Sequence, residues 1–590
     1  MEAFKRLYAV ETLDTRFGPR SGQEANKTQP PKWRSKEFLI YYLAFLTIPP
    51  LMFKAVYDVS GPWHPAYSTY ESLLEPGWIF GRKVDNSDAQ YRSFRDNIPY
   101  MVLLLVLHPL ARKAYDAVSS SQTSEDTNPS VQADDRLERR VQFDVVFSAI
   151  FITALHGISA LKILAILYVN YKIATALPQR YVPVCTWVFN IALLFANELC
   201  RGYPLANAAA LLLPAATTQT GASAPDNWGT WLDSYGGLIP RWEVLFNITV
   251  LRLISFNLDY YWSLDRRAGS PIEKNLDPAN LSERDRVSIP AKVSDYSFRN
   301  YFAFILYAPL YIAGPIFNFN DYISQGRYPL PSINGERITL YAVRFVICLL
   351  TMEFCLHYLY AVAICKASPD WNQYTPFQLS MLGYFNLHII WLKLLIPWRL
   401  FRLWALLDGI DAPENMVRCM SDNFSVLAFW RGWHRSYNRW IVRYIYAPLG
   451  GSRDNKVRSA MNYLAVFTFV ALWHDINLRL LAWGWLISIF VIPEVVANLL
   501  FPAKKWKNSP DAYRWIQGAI AVVNILMLMV ANLVGFAIGL DGLQGLVEGI
   551  LNSFGGRVFF LGACATLFIG AQMMFEIREA EKRRGIDMKC

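Results

Sequence analysis

Charge is scarce in this chain. Asp, Glu, Lys and Arg make up 18% of its 590 residues, against about 25% in an average soluble domain. Hydrophobic residues account for 54% and aromatic residues for 15%, so a bilayer rather than water is the expected solvent. Cysteine is also sparing: the eight residues sit mostly in apolar runs, without the paired spacing of a metal site or a secreted disulfide scaffold, and read as packed thiols. No period of about 20 to 50 residues recurs, which excludes a solenoid. No apolar core follows the charged start, so the first 36 residues are expected to be a basic tail and not a cleaved signal. No Gly-x-Ser-x-Gly elbow occurs, which argues against a serine hydrolase. The net charge of +10 is not organised into a basic and aromatic platform, so nucleic acid is not an expected partner.

What is present is a succession of apolar runs, from Phe38–Val56 through Val141–Leu161, Val182–Leu199, Tyr341–Cys365, Leu379–Leu407 and Ile516–Leu540 to Val558–Met574. Several approach the roughly 20 residues a span needs, and others are shorter. The expectation is an all-α polytopic transmembrane bundle of about ten to twelve spans, with re-entrant and interfacial helices. Residues 1–36 form the tail, 37–576 one membrane domain with its chemistry near 380–490, and 577–590 a second basic tail. Pro49-Pro50 is expected to break or bend the first run. The stretch from Asp116 to Arg140, rich in Ser, Asp and Arg, reads as a loop.

One cation-bearing apolar stretch and two polar islands carry the informative residues. In Asn386–Ile410, Lys393, Arg399 and Arg402 alternate with Trp391, Trp398 and Trp404, which suits a headgroup-level anchor or the entrance for a phosphate-bearing substrate. Next comes FWRGWHRSYNRWIVRYIYAPLGG, from Phe429 to Gly451. A continuous helix over Trp430–Tyr446 would align Arg431, Arg435 and Arg439 on one face. Trp433, Tyr437 and Trp440 would lie beside them, with Asn438 one turn from His434. Pro448 and the following glycines then end any helix.

His474 is the second island. It follows the apolar run Asn462–Trp473 and precedes Asp475 and Asn477. Twelve helical residues span about 18 Å, more than half of a hydrocarbon core of about 30 Å. Ionisable groups at such depth face an internal cavity or mark the break between two half-spans. The other histidines, His64, His108, His156, His357 and His388, read as bundle residues satisfied by single hydrogen bonds.

The stretches WRGWHRSYNRW, APLGG and ALWHDINLRLLAWGW resemble the membrane-bound O-acyltransferase family, and more narrowly its fungal glycerol-uptake (Gup) branch, relatives of the Hedgehog acyltransferases. The likeness extends over most of Val182–Pro493. It implies that His474 carries catalysis and that His434 occupies a second polar position, which is asparagine or aspartate in other branches. Attack of an alcohol on an activated thioester needs a base for the hydroxyl proton and a donor for the carbonyl oxygen. His474 is therefore the expected base, with His434 or Asn438 orienting the reactants. Trp433, Asp475 and Asn477 complete the expected substrate-binding set, and Arg431 and Arg435 are expected to hold phosphate. Direct transfer is expected, with neither metal nor resident cofactor.

The same resemblance implies acyl-CoA as co-substrate and membrane lipid as surroundings. The implied acceptor is a lyso-glycosylphosphatidylinositol or another lysophospholipid, acylated at the glycerol sn-2 hydroxyl. The implied location is the endoplasmic reticulum membrane, with the plasma membrane as a second site. A glycerol–proton symporter and a non-catalytic membrane scaffold are the competing classes.

Overall fold

The apolar runs fold as helices. The structure, a computed structural model, describes residues 7, 29–120, 128–212, 228–239, 241–265, 276–451, 456–474, 478–586 and 588. Its longer helices before the site are α1 (Lys36–Val59), α2 (Ala89–Ser120), α3 (Pro129–His156), α4 (Ser159–Ala176), α5 (Val182–Leu199), α6 (Trp242–Ser263) and α7 (Gly335–Tyr358). The site is built from α8 (Pro376–Leu407), α9 (Val426–Gly432), α10 (Arg435–Ile441), α11 (Lys456–His474) and α12 (Leu478–Leu500). Behind it stand α13 (Pro510–Asn532), α14 (Gly539–Asn552) and α15 (Phe554–Arg583). Among the described residues the sheet content is one antiparallel ribbon, with Glu75 opposite Val84 and Pro76 opposite Lys83.

Among the described residues, six helical segments are long and apolar enough to cross a bilayer: Lys36–Val59, Gln179–Leu199, Gly335–Tyr358, Pro376–Leu407, Pro510–Ala537 and Phe554–Arg583. Ten to twelve spans were expected from the apolar runs. Part of the difference lies in α6, which buries Glu243, Arg252 and Asp259 and is enclosed by protein over most of its length. A helix enclosed by protein can carry such ionisable groups, which keep it out of a selection by length and apolarity. Contrary to expectation, α1 continues through Pro49 and Pro50, with Ser35 capping its start.

The expected loop from Asp116 to Arg140 is largely helical. The helix α2 runs to Ser120, and α3 starts at Pro129 with the Asn128 side chain accepting from Ser130 N. Proline at the first helical position loses no hydrogen bond, which is how a polar stretch with a proline still nucleates a helix. Arg140 of α3 has an internal partner. Arg112 and Arg140 both donate to Asp408, Arg112 also to Asp144, while Tyr322 Oη donates to Asp144 at 2.6 Å. His108, Asp144 and Asp408 bring three potential metal-ligand atoms within 4.8 Å of one another. The two guanidiniums already supply positive charge to these carboxylates, and the group serves as an ionic lock joining α2, α3 and the end of α8.

The central helix is α8. Half of its apolar window is buried, against 17–33% for the other five segments. Thr375 and Gln378 close a capping box at its start. Its tryptophans and cations do not form a headgroup anchor as a set, because Trp404 is fully buried and Arg402 binds inside the protein. Arg402 donates to Ala412 O at 2.6 Å, Asp411 at 2.9 Å and Glu414 at 3.3 Å, while Lys393 pairs with Asp88 at 2.6 Å. The Arg402 bonds hold residues 411–414, in the segment that leads into the site.

Candidate functional site

The site begins with a carboxylate at a helix start. Glu494 of α12 accepts from Val426 N at 2.8 Å and Leu427 N at 3.3 Å, and also from the Ser425 hydroxyl. A negative charge at a helix N-terminus is favourable, because the first amides have no partners within the helix. The short α9 that follows stops at Gly432.

The expected continuous helix over Trp430–Tyr446 is broken at His434. Trp433 is extended and His434 adopts φ 47°, ψ 52°, the left-handed region that non-glycine residues rarely occupy. The chain restarts as α10 because Asn415 supplies the cap: Arg435 N donates to Asn415 O at 3.0 Å, and Ser436 N to Asn415 Oδ1 at 3.2 Å. The His434 side chain makes no capping bond, so its ring is left for the cavity. The break also takes Arg431 off the face of the later arginines. Arg431 is exposed on the cavity wall, whereas Arg435 is buried away from that lining and Arg439 pairs with Glu283. Of the two arginines expected to hold phosphate, Arg431 is the one on the cavity wall.

After α10 the chain makes one π-helical turn, Val442–Tyr446, and then the Ala447–Gly451 turn. Asn462 donates to Gly451 O at 3.0 Å, tying this turn to α11. The Met461–His474 portion of α11 is apolar and ends at the histidine, before Leu478 opens the next helix. Trp473 Nε1 donates to Asn247 O at 2.8 Å and fixes the end of α11. Asp475 and Asn477 lie outside the described residues.

Aromatic rings carry the geometry between the two histidines. Trp398 stacks on His434 with centroids 4.4 Å apart, and Tyr437 lies 5.1 Å from His434 and 6.4 Å from His474. Trp473 lies 4.5 Å from Tyr437 and 4.7 Å from His474. Neither imidazole has a hydrogen-bond partner among the described residues. Asn438, whose backbone N–H donates to His434 O at 3.0 Å, faces the same space. Trp473 and Asn415 were not singled out in the sequence, and Trp398 and Tyr437 were read only as part of a headgroup-level anchor or entrance and of an aromatic face. Their density of aromatics was visible, but which rings meet across helices was not.

Both histidines, Asn438, Trp433 and Arg431 open onto one cavity of about 3130 Å³. Small-molecule pockets occupy about 300–1,000 Å³, so this space suits two large substrates at once. Its wall is mostly apolar, with contributions from α1, α8, α11, α12, α13 and α15. Phe45, Tyr100, Leu238 and Leu499 line it and are strongly exposed, so the cavity continues onto the apolar outer surface. An imidazole there has what proton abstraction needs: a free ring nitrogen, access for an amphiphile, and little competing water.

The membrane-bound O-acyltransferase family profile matches residues 150–535, which include both histidines. The chain is 46% identical to the "Membrane-bound O-acyltransferase GUP1" of Saccharomyces cerevisiae, over 99% of this chain and 98% of that one. It is 40% identical to the protein of the same name from Schizosaccharomyces pombe, over 94% and 91% of the two chains. A more distant relative is the "Protein-cysteine N-palmitoyltransferase HHAT" of Mus musculus, 25% identical over 46% of this chain and 54% of its own. A multi-pass helical protein with full-length relatives of this kind is an acyltransferase of the membrane, and the chain belongs to the membrane-bound O-acyltransferase family.

Proposed function

We propose that the protein transfers a fatty acyl chain from acyl-CoA to the sn-2 hydroxyl of a lyso-glycosylphosphatidylinositol in the endoplasmic reticulum membrane. The observation that carries the catalytic part of this reading is the opening of His434 and His474 onto one large apolar cavity. The acceptor and the compartment follow from the resemblance to the Gup branch.

In the proposed step, a ring nitrogen of His474 takes the proton of the acceptor hydroxyl as its oxygen attacks the thioester carbonyl. The Asn438 side-chain amide, with His434 beside it, faces the carbonyl oxygen as negative charge develops there. The C–S bond breaks and the protonated base returns its proton to the thiolate, giving an ester and free CoA. Arg431 binds phosphate of the donor at the cavity wall. No resident cofactor enters this scheme.

Transfer of labelled acyl chain from acyl-CoA to the lyso acceptor in purified membranes tests the reading. His474→Ala is expected to lower the rate about 10²–10⁴-fold, the usual contribution of a general base. His434→Ala is expected to give a smaller loss. Comparable rates in all three proteins reject the site, and labelling of a different lipid by wild type rejects the acceptor.

A further inference from the structure

A second side-chain constellation opens onto the same cavity and has no part in the scheme above. His388 of α8 places Nδ1 at 2.8 Å from Tyr384 O and Nε2 at 2.6 Å from Ser421 Oγ. The Tyr384 hydroxyl stands 2.9 Å from the same Ser421 oxygen. A carbonyl only accepts, so Nδ1 carries the proton and donates to Tyr384 O. In the neutral ring Nε2 is then the acceptor for the serine hydroxyl. Tyr384 completes the chain by donating to Ser421 Oγ.

This is the arrangement of an activated nucleophile: a hydroxyl on a base, and the base oriented by a third group. Burial does not explain it, since Ser421 is exposed on the cavity wall and water alone would satisfy its hydroxyl. Its surroundings fit an acyl chain. Met420 and Leu427, near it in sequence, and Met381 and Leu387, on the helix of His388, line the cavity, and the wall is continuous with that at His434 and His474.

We propose that Ser421 is an acyl-accepting nucleophile that takes a fatty acyl group from a long-chain acyl thioester. Its Oγ bonds to the thioester carbonyl carbon while its proton passes to His388 Nε2. The carbon–sulfur bond breaks, and the same proton goes to the leaving thiolate. The products are an O-acyl-serine and a free thiol, with no change of oxidation state. The proposal rests on the reading that the cavity admits an acyl thioester, and it stands beside direct transfer at His474, not within it.

The test is to incubate the purified full chain in detergent with radiolabelled palmitoyl-CoA and no lipid acceptor. Label on the protein should resist neutral hydroxylamine, which removes thioesters, and be released by alkali. Ser421→Ala should lose it, and His388→Gln should acquire it about 10²-fold more slowly, as expected for loss of a general base. Ser421→Cys guards against a folding artefact, because its label should become labile to hydroxylamine. An unlabelled wild type, label that survives Ser421→Ala, or label wholly labile to hydroxylamine overturns the proposal. His474→Ala separates the two readings. Labelled but inactive in lipid transfer, it supports both sites. If it transfers normally, the assignment of His474 fails while the Ser421 label is judged on its own.

Discussion

Trp398 and His434 lie in a stacked pair, with ring centroids 4.4 Å apart and planes inclined by 25°. Because the imidazole has no hydrogen-bond partner among the described residues, this indole is a principal restraint on its orientation. Aromatic pairs of this kind contribute about 0.5–1.5 kcal/mol beyond their buried area, which corresponds to a roughly twofold to somewhat more than tenfold preference for one ring orientation. Trp398→Ala is expected to lower kcat for acyl transfer roughly tenfold, and Trp398→Phe to recover most of it. Steady-state kinetics on the three proteins at matched folded fraction decide the point; equal kcat for Ala and wild type would remove the positioning role.

Asn415 does for α10 what the left-handed His434 does not, accepting at both its backbone and side-chain oxygens. Loss of such a cap costs about 0.5–2 kcal/mol. Asn415→Ala should reduce thermal stability by that amount and reduce transfer as His434 loses its fixed turn. Asn415→Asp keeps an acceptor oxygen and should restore most of both. A melt in detergent paired with an activity assay reads the contrast.

Glu494 ties α12 to the start of α9 through two amides and a serine hydroxyl. Glutamine in its place can keep its oxygen on the two amides, which share one carboxylate oxygen, and turn its amino group to the Ser425 oxygen, but it loses the charge that strengthens these bonds. Hydrogen bonds to a charged group are worth about 1.5–3 kcal/mol, so Glu494→Gln should destabilise the fold by that order. Transfer should fall with it, since α9 sets the entry to His434. An unchanged melting temperature would contradict this account.

Asp408 receives Arg112, Arg140 and the Tyr307 hydroxyl in one buried cluster. Removing one member of a buried pair strands the other charge and costs about 3–5 kcal/mol. Asp408→Ala should therefore greatly reduce the folded monodisperse fraction. Adding Arg112→Met should recover part of that fraction by deleting one stranded cation. Size-exclusion profiles of the single and double variants test the coupling.

The two histidines were legible in the sequence for a simple reason. Imidazoles at depth in lipid are costly, and their place in polar islands bounded by apolar segments marked them for a cavity. The neighbouring arginines were misread because helical periodicity presumes an unbroken helix. Nothing in GWHRS announces that His434 turns left-handed, since that conformation is held by Asn415, a partner nineteen positions earlier. The same limit applies to His388. Read alone it is one more bundle histidine, and only the packing of Ser421 against Nε2 gives it a distinct chemistry.

Composition and apolar run length by themselves determined that this is a helical membrane protein, because the cost of exposing backbone and charge to hydrocarbon depends on local sequence. They also located the polar islands. Which islands share a cavity, which cations turn inward to Asp411, Glu414 and Asp88, and where the helix breaks were decided by tertiary structure alone. Those outcomes depend on contacts between residues far apart in the chain, whose energies no local window contains.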